Sequence, residues 1–169
     1  QLARMTRNEQ QAELRECEVS ELLNDIQSKI SLQLERADYT LDLSCDDSAK
    51  LATINVDTDW LTQIMINLVD NAIKFSTDSE VKKVALSCQR VGKNQLSFTI
   101  RDFGPGVDKA QMNQIFKLFY RTENELTRET TGTGIGLSLV QQMAVNMGGT
   151  VSVENCDPGA AFSVTFPVI

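Results

Sequence analysis

Asn67-Leu68-Val69-Asp70-Asn71-Ala72-Ile73-Lys74 sets the architecture of this chain and already hints at its chemistry. The octapeptide lies inside a run in which Leu61, Ile64, Met65, Leu68, Val69, Ala72 and Ile73 recur at helical spacing, and Asp57 stands where an N-cap belongs. At about 100° per residue, Asn67, Asn71 and Lys74 fall on one stripe beside the apolar face. One helix therefore packs a core and presents two amides and an ammonium group to its surroundings. Two further motifs follow in order, Asp102-Phe103-Gly104-Pro105-Gly106 and Gly132-Thr133-Gly134-Ile135-Gly136-Leu137.

Each motif supplies a different chemical group. The Asn71 amide oxygen is a hard ligand suited to Mg²⁺, an ion that keeps several waters and shares phosphate oxygens in preference to a protein cage. Asp102 closes a predicted strand and enters a loop where Gly104 and Gly106 can take positive φ and bring the backbone close to a flat ligand. A carboxylate there can accept from the adenine amino group, whereas guanine offers a carbonyl at that position and is repelled. The glycine triplet opens an apolar helix (Leu137, Val140, Met143, Ala144, Met147), so free N–H groups and the positive dipole end face a triphosphate. Taken singly, the motifs are an ordinary surface asparagine, an Asx turn and a flexible loop. Taken in order on one chain they describe an ATP site. The polar segment 122–131, between Phe116/Phe119 and the glycines, has the composition of a lid; Arg121 and Arg128 are either phosphate contacts or solvated surface charges.

Outside the motifs, composition sets bounds. With 169 residues and 41% hydrophobic content the chain reads as one domain, and no apolar run approaches the roughly 20 residues a bilayer crossing needs. The net charge of −7 repels a phosphate backbone, which disfavours nucleic acid as a partner. Cys17, Cys45, Cys88 and Cys156 are widely spaced and have no histidine to complete a zinc site, since the chain contains none; reduced, mostly buried thiols are expected. The start Gln1-Leu2-Ala3-Arg4-Met5 lacks a signal pattern and an initiator methionine, so a soluble piece of a longer protein is expected.

Periodicity places a first helix from Val19, with Ser20 as its cap and Glu21 in its first turn. Tyr39, Leu41 and Leu43 alternate as in a half-buried strand, and Thr53-Ile54-Asn55-Val56 suggests a short one. Residues 81–89 and 95–101 predict a hairpin around Gly92-Lys93-Asn94, a short helix follows near 109–113, and residues 150–154 and 161–166 predict a closing hairpin. Gly148-Gly149 ends the last helix, which starts near Gly134. Hairpins outnumber possible parallel crossovers, so the fold class is α+β, a two-layer sandwich with a mixed, mainly antiparallel sheet covered by helices on one face.

The ordered motifs resemble the N, G1, F and G2 boxes of the ATP-binding catalytic domain of bacterial sensor histidine kinases, over residues 17–168. The resemblance implies the Bergerat ATP-binding fold with about three helices on the sheet. It implies a domain at 17–169 with a lid at about 116–133, and residues 1–16 as the tail of an upstream dimerisation helix and connector. It makes Asn71 the metal ligand, puts Lys74 on the nucleotide phosphates and lays Phe75 against adenine. The implied nucleotide contacts are completed by Asn67, Asp102, Gly104, Gly106, Val107, Phe116, Tyr120, Arg121, Thr131, Gly132, Thr133, Gly134, Ile135, Gly136 and Leu137, with Asn67, Lys74 and Arg121 acting in the transfer. Thr131 stands where the family often has glycine, and Phe75 where tyrosine is common.

In the gyrase, chaperone and mismatch-repair relatives a glutamate one turn before the metal asparagine activates water. Here Asn67 stands there, and an amide accepts no proton near pH 7. Without a histidine of its own, the chain also lacks the kinase family's phosphoacceptor. The resemblance thus implies Mg²⁺ and ATP as cofactors, transfer of the γ-phosphate to a histidine on an upstream dimerisation segment, and a response regulator receiver domain as downstream partner. It further implies a homodimeric, membrane-anchored parent protein of which this is the cytoplasmic part at an inner membrane. Two alternatives stay open on the residues alone: a serine kinase of the anti-sigma-factor type, and a non-catalytic module that binds nucleotide to regulate a partner.

Overall fold

The computed structural model describes residues 11–112, 114–116 and 135–169. Strand β1 (Arg15–Glu18) runs directly into helix α1 (Val19–Arg36), followed by β2 (Thr40–Cys45), the single-turn α2 (Asp47–Lys50) and β3 (Thr53–Val56). Helix α3 (Thr58–Phe75) carries the asparagine stripe. Strands β4 (Lys83–Val91) and β5 (Gln95–Arg101) form the first hairpin, and a 3₁₀ turn covers Lys109–Gln111. After α4 (Ile135–Asn146), β6 (Thr150–Asn155) and β7 (Ala160–Pro167) close the chain.

Five strands form one sheet in the order β2-β4-β5-β7-β6. Among the described strands only β2 and β4 pair in parallel. The period-2 pattern puts Val84, Leu86 and Cys88 of β4, Leu96, Phe98 and Ile100 of β5, and Phe162, Val164 and Phe166 of β7 on one buried face. Register stacks them directly, with Leu86 beside Ile100 and Phe162, and Cys88 beside Phe98 and Val164. Helices α1, α3 and α4 supply the other half of the core through Ile26, Ile30, Leu61, Ile64, Leu68, Val140 and Ala144, all nearly inaccessible. The opposite face is polar, and there Thr99 with Ser163 and Ser97 with Thr165 pair hydroxyl to hydroxyl at 2.7 Å. The two-layer α+β sandwich expected from the hairpin count is thus the observed architecture. Among the described residues no helix is long and apolar enough to cross a membrane.

Two local expectations need correcting. The N-cap of α1 is Glu18, two residues before Ser20, and it makes no side-chain capping bond. The reason is β1, which the sequence did not disclose. It pairs antiparallel with β3 as a separate two-stranded sheet and delivers the chain straight into the helix, while Val19 N–H donates to Ala52 O at 3.0 Å. Of the four cysteines only Cys88 is buried, and burial pushes its thiol well above the ordinary value; the other three are half-buried.

Asp57 does cap α3. One carboxylate oxygen accepts from the N–H groups of Asp59 and Trp60 at 3.0 and 3.1 Å, and the other accepts from Glu13 N–H at 2.9 Å. The cap thereby also fixes the chain entering β1. Replacing Asp57 with Ala is expected to cost about 1–2 kcal/mol, the upper part of the usual capping range because three N–H groups lose their acceptor. A urea midpoint within error of wild type would contradict this.

Candidate functional site

Asp102 follows β5 directly and is 1% exposed. Its backbone N–H donates to Ala160 O at 3.0 Å, and its Oδ1 accepts from Gly104 N–H at 2.9 Å, the Asx turn expected of an Asp-x-Gly sequence. Its Oδ2 is buried with no partner among the described residues. Burial pushes the carboxyl pKa up, offset only in part by the Gly104 N–H and the Arg101 charge. A buried carboxylate oxygen left without a donor is costly, so the position is suited to a donor brought by a ligand.

The two glycines after it serve different ends. Gly106 has φ 87°, the left-handed backbone that was expected of both. Gly104 does not; its requirement is steric, because a Cβ there would stand 2.5 Å from Phe75 O and 3.0 Å from Ser76 Cα. The loop therefore lies directly on the C-terminal end of α3. Ser79 Oγ reinforces the contact by donating to Phe103 O at 2.9 Å. In this way the fold joins the first and second motifs.

On α3, Asn71 is 8% exposed, and its side chain has no hydrogen-bond partner among the described residues. Asn67, one turn earlier, is half-buried, and its Oδ1 accepts from Gln63 Nε2 at 2.9 Å. Gln63 escaped the sequence reading, although its i,i+4 spacing to Asn67 was a signal for it. Lys74 pairs with Asp70 at 3.1 Å. Phe75, 9% exposed, stacks on Phe162 with ring centroids 6.3 Å apart and planes 12° apart, and Phe116 meets Phe162 edge-on at 6.1 Å. Phe162, read from the sequence only as a strand residue, thus links two of the expected nucleotide contacts. Val107 and Leu137 are buried and Gly136 is half-buried.

Tyr120, Arg121, Thr131, Gly132, Thr133 and Gly134 lie outside the described residues, together with Phe119, Arg128 and most of the expected lid; Ile135 is described only as the first residue of α4. The described part combines an unpartnered buried carboxylate oxygen, an unpartnered buried amide and an aromatic cluster. Such a set can receive an aromatic amine at one end and a hard cation at the other. Mg²⁺ with ATP therefore fits the donors present.

Residues 56–169 match the family model described as histidine kinase-, DNA gyrase B-, and HSP90-like ATPase. The chain is 31% identical over 156 residues to the signal transduction histidine-protein kinase ArlS of Staphylococcus epidermidis, a match covering 91% of this chain and 33% of that protein. It is 28% identical over 168 residues to the sensor histidine kinase RppB of Synechocystis, covering 99% of this chain and 36% of the relative. It therefore spans about a third of the length of these relatives. Among solved structures, full-length ShkA in complex with AMPPNP superposes with a TM-score of 0.78 at 28% identity, covering 98% of this chain and 33% of that one. The catalytic domain of the histidine kinase ThkA shares the fold, with a TM-score of 0.74 at 22% identity over 92% of this chain and 97% of that one.

Proposed function

Because the chain belongs to the histidine kinase-, DNA gyrase B-, and HSP90-like ATPase family, we propose that it is the ATP-binding catalytic domain, residues 17–169, of a sensor histidine kinase. In that role it transfers the γ-phosphoryl group of ATP to a histidine outside this sequence. The observation that carries the reading is the buried Oδ2 of Asp102, which has no donor among the described residues and precedes a loop that lies, at Gly104, against the end of the Asn67–Asn71–Lys74 helix.

Bound ATP supplies the phosphoryl group, and Mg²⁺ neutralises charge on its phosphates. Asp102 Oδ2 accepts from the adenine amino group, and Phe75 offers the purine an apolar neighbour. Asn71 holds the metal through its amide oxygen. Lys74 is a point charge whose pairing with Asp70, an acid 55% exposed, is weak enough to be exchanged for phosphate. Asn67 cannot act as a base, and its Oδ1 is already occupied by Gln63, so the chain holds ATP without activating water. Arg121 and the glycines 132–136 complete the phosphate contacts in this proposal.

The parent protein in this reading is a homodimer anchored at the inner membrane, with this domain in the cytoplasm. It phosphorylates its own upstream histidine segment, and a response regulator receiver domain is the next acceptor. The relatives named above are histidine kinases, which favours this reading over a serine kinase or a purely regulatory module.

Calorimetry tests the nucleotide part. ATP and ADP are expected to bind with an affinity that Mg²⁺ strengthens, and GTP much more weakly. Asn71→Ala is expected to abolish the Mg²⁺ enhancement while leaving metal-free ADP binding in place. Equal ATP and GTP affinity would remove the adenine-reading role, and an undiminished Mg²⁺ effect in Asn71→Ala would remove the metal role.

A further inference from the structure

We propose that Asn155 is a positioning residue for purine recognition: its amide clamps both backbone polar groups of Val107 and so fixes the loop that follows Asp102. This rests on the nucleotide reading above. The amide Oδ1 accepts from Val107 N–H at 2.8 Å, and Nδ2 donates to Val107 O at 2.7 Å.

The first end of that loop is held by the sheet. Arg101 is registered with Ala161, and Asp102 N–H reaches Ala160 O. Beyond Asp102 the β5–β7 pairing has stopped, and Val107 belongs to no strand. Asn155, the last residue of β6, replaces the missing strand, because a primary amide carries a donor and an acceptor side by side and imitates the antiparallel backbone pair. Aspartate, with the same reach, has no donor when ionised, and serine is shorter and carries its donor and acceptor on a single oxygen, so neither reproduces the side-by-side pair.

The fit around the clamp is close. A Cβ on Gly106 would stand 2.8 Å from Asn155 Oδ1 and 3.1 Å from Gly159 O, and a Cβ on Gly159 would collide with Asp102 O. Arg101 Nη2 donates to Pro158 O at 2.9 Å, and Cys156 N–H to Gly159 O at 2.8 Å. The β6–β7 turn therefore presses on the backbone of both Asp102 and Gly106. Asn155 itself is largely exposed, so its bonds add little to the core, and both ends of its amide are spent on one residue of the loop. Release of Val107 would let the loop open from the end away from Asp102, while the Asn71 end of the site, on a different element, stays in place.

The test is calorimetric titration of the whole chain with ADP and GDP, each with and without Mg²⁺, for wild type, Asn155→Ala and Asn155→Asp. Loss of two hydrogen bonds from the purine wall is expected to weaken ADP about tenfold in Asn155→Ala and to narrow the ADP-over-GDP preference. The ratio of ADP affinities with and without Mg²⁺ is expected to stay at the wild-type value. Asn155→Asp keeps the shape and the acceptor but sets a carboxylate oxygen against Val107 O, and is expected to weaken ADP as well. Wild-type ADP affinity in either variant would overturn the clamp, and so would a Mg²⁺ enhancement that collapses together with ADP affinity, the mark of general damage. Failure of the wild-type chain to bind ADP would overturn the nucleotide reading itself and with it the purine role of Asn155.

Discussion

Radiolabelled ATP incubated with this chain alone is expected to leave the protein unlabelled and to be hydrolysed negligibly, whereas addition of the histidine-bearing segment of its parent protein yields a labelled segment. The expectation rests on two residue facts. The position one turn before Asn71 holds Asn67, whose amide cannot deprotonate water and whose oxygen Gln63 already occupies. No histidine occurs anywhere in the chain to take the phosphoryl group. What remains is positioning and charge neutralisation, which accelerate transfer only once a nucleophile is delivered from outside. Label is expected as an acid-labile, alkali-stable phosphoryl group, and it disappears when the segment's histidine is replaced. Acid-stable label on serine would reassign the domain to the serine-kinase alternative, and brisk hydrolysis by the chain alone would show that Asn67 does not silence water attack.

The parts of this molecule legible in its sequence are those where local chemistry and long-range packing agree. Helix α3 is the clearest case: its cap, apolar stripe and amide stripe are all written between Asp57 and Phe75. The two hairpins were legible because alternation and turn residues coincide, and α4 ends where Gly148, with φ 81°, says it should. Strand β1 was not legible. Its four residues, Arg-Glu-Cys-Glu, alternate no hydrophobic face and are held by β3, some forty residues away. The site divides in the same way. Asp102 and its Asx turn could be read directly, but the need for Gly104 comes from Phe75 O on another element, and Asn155 acts on Val107 across 48 residues. No local pattern announces a clamp whose two halves meet only in the folded chain. Phe162 is a similar case, because its stacking with Phe75 and Phe116 follows from sheet register and not from spacing.

Replacing Asp102 with Asn is expected to weaken ATP and ADP by roughly ten- to a hundredfold, about 1.5–3 kcal/mol, because an ionic acceptor is exchanged for a neutral amide whose NH₂ faces the adenine amino group as readily as its oxygen does. The pH dependence follows from the raised pKa. In the proposed role the ionised carboxylate receives the adenine amino group, so affinity is expected to be full above the raised pKa and to fall as pH drops through it, at a higher pH than an ordinary aspartate would titrate. The Asp102→Asn variant lacks this acidic limb. For folding the sign is opposite. A carboxyl whose folded pKa lies above its unfolded value contributes stability that is present in full below the unfolded pKa and is lost as pH rises through the folded one. Above that raised pKa the empty site therefore carries an ionised, partnerless oxygen at a cost, and Asp102→Asn without nucleotide is expected there to leave the thermal midpoint no lower than wild type while binding collapses. Opposite movement of the two quantities is what separates a ligand-reading group from a structural one. A variant that loses thermal stability in step with affinity would make Asp102 part of the scaffold, and one that binds ADP normally would leave its buried Oδ2 without a purpose in the site.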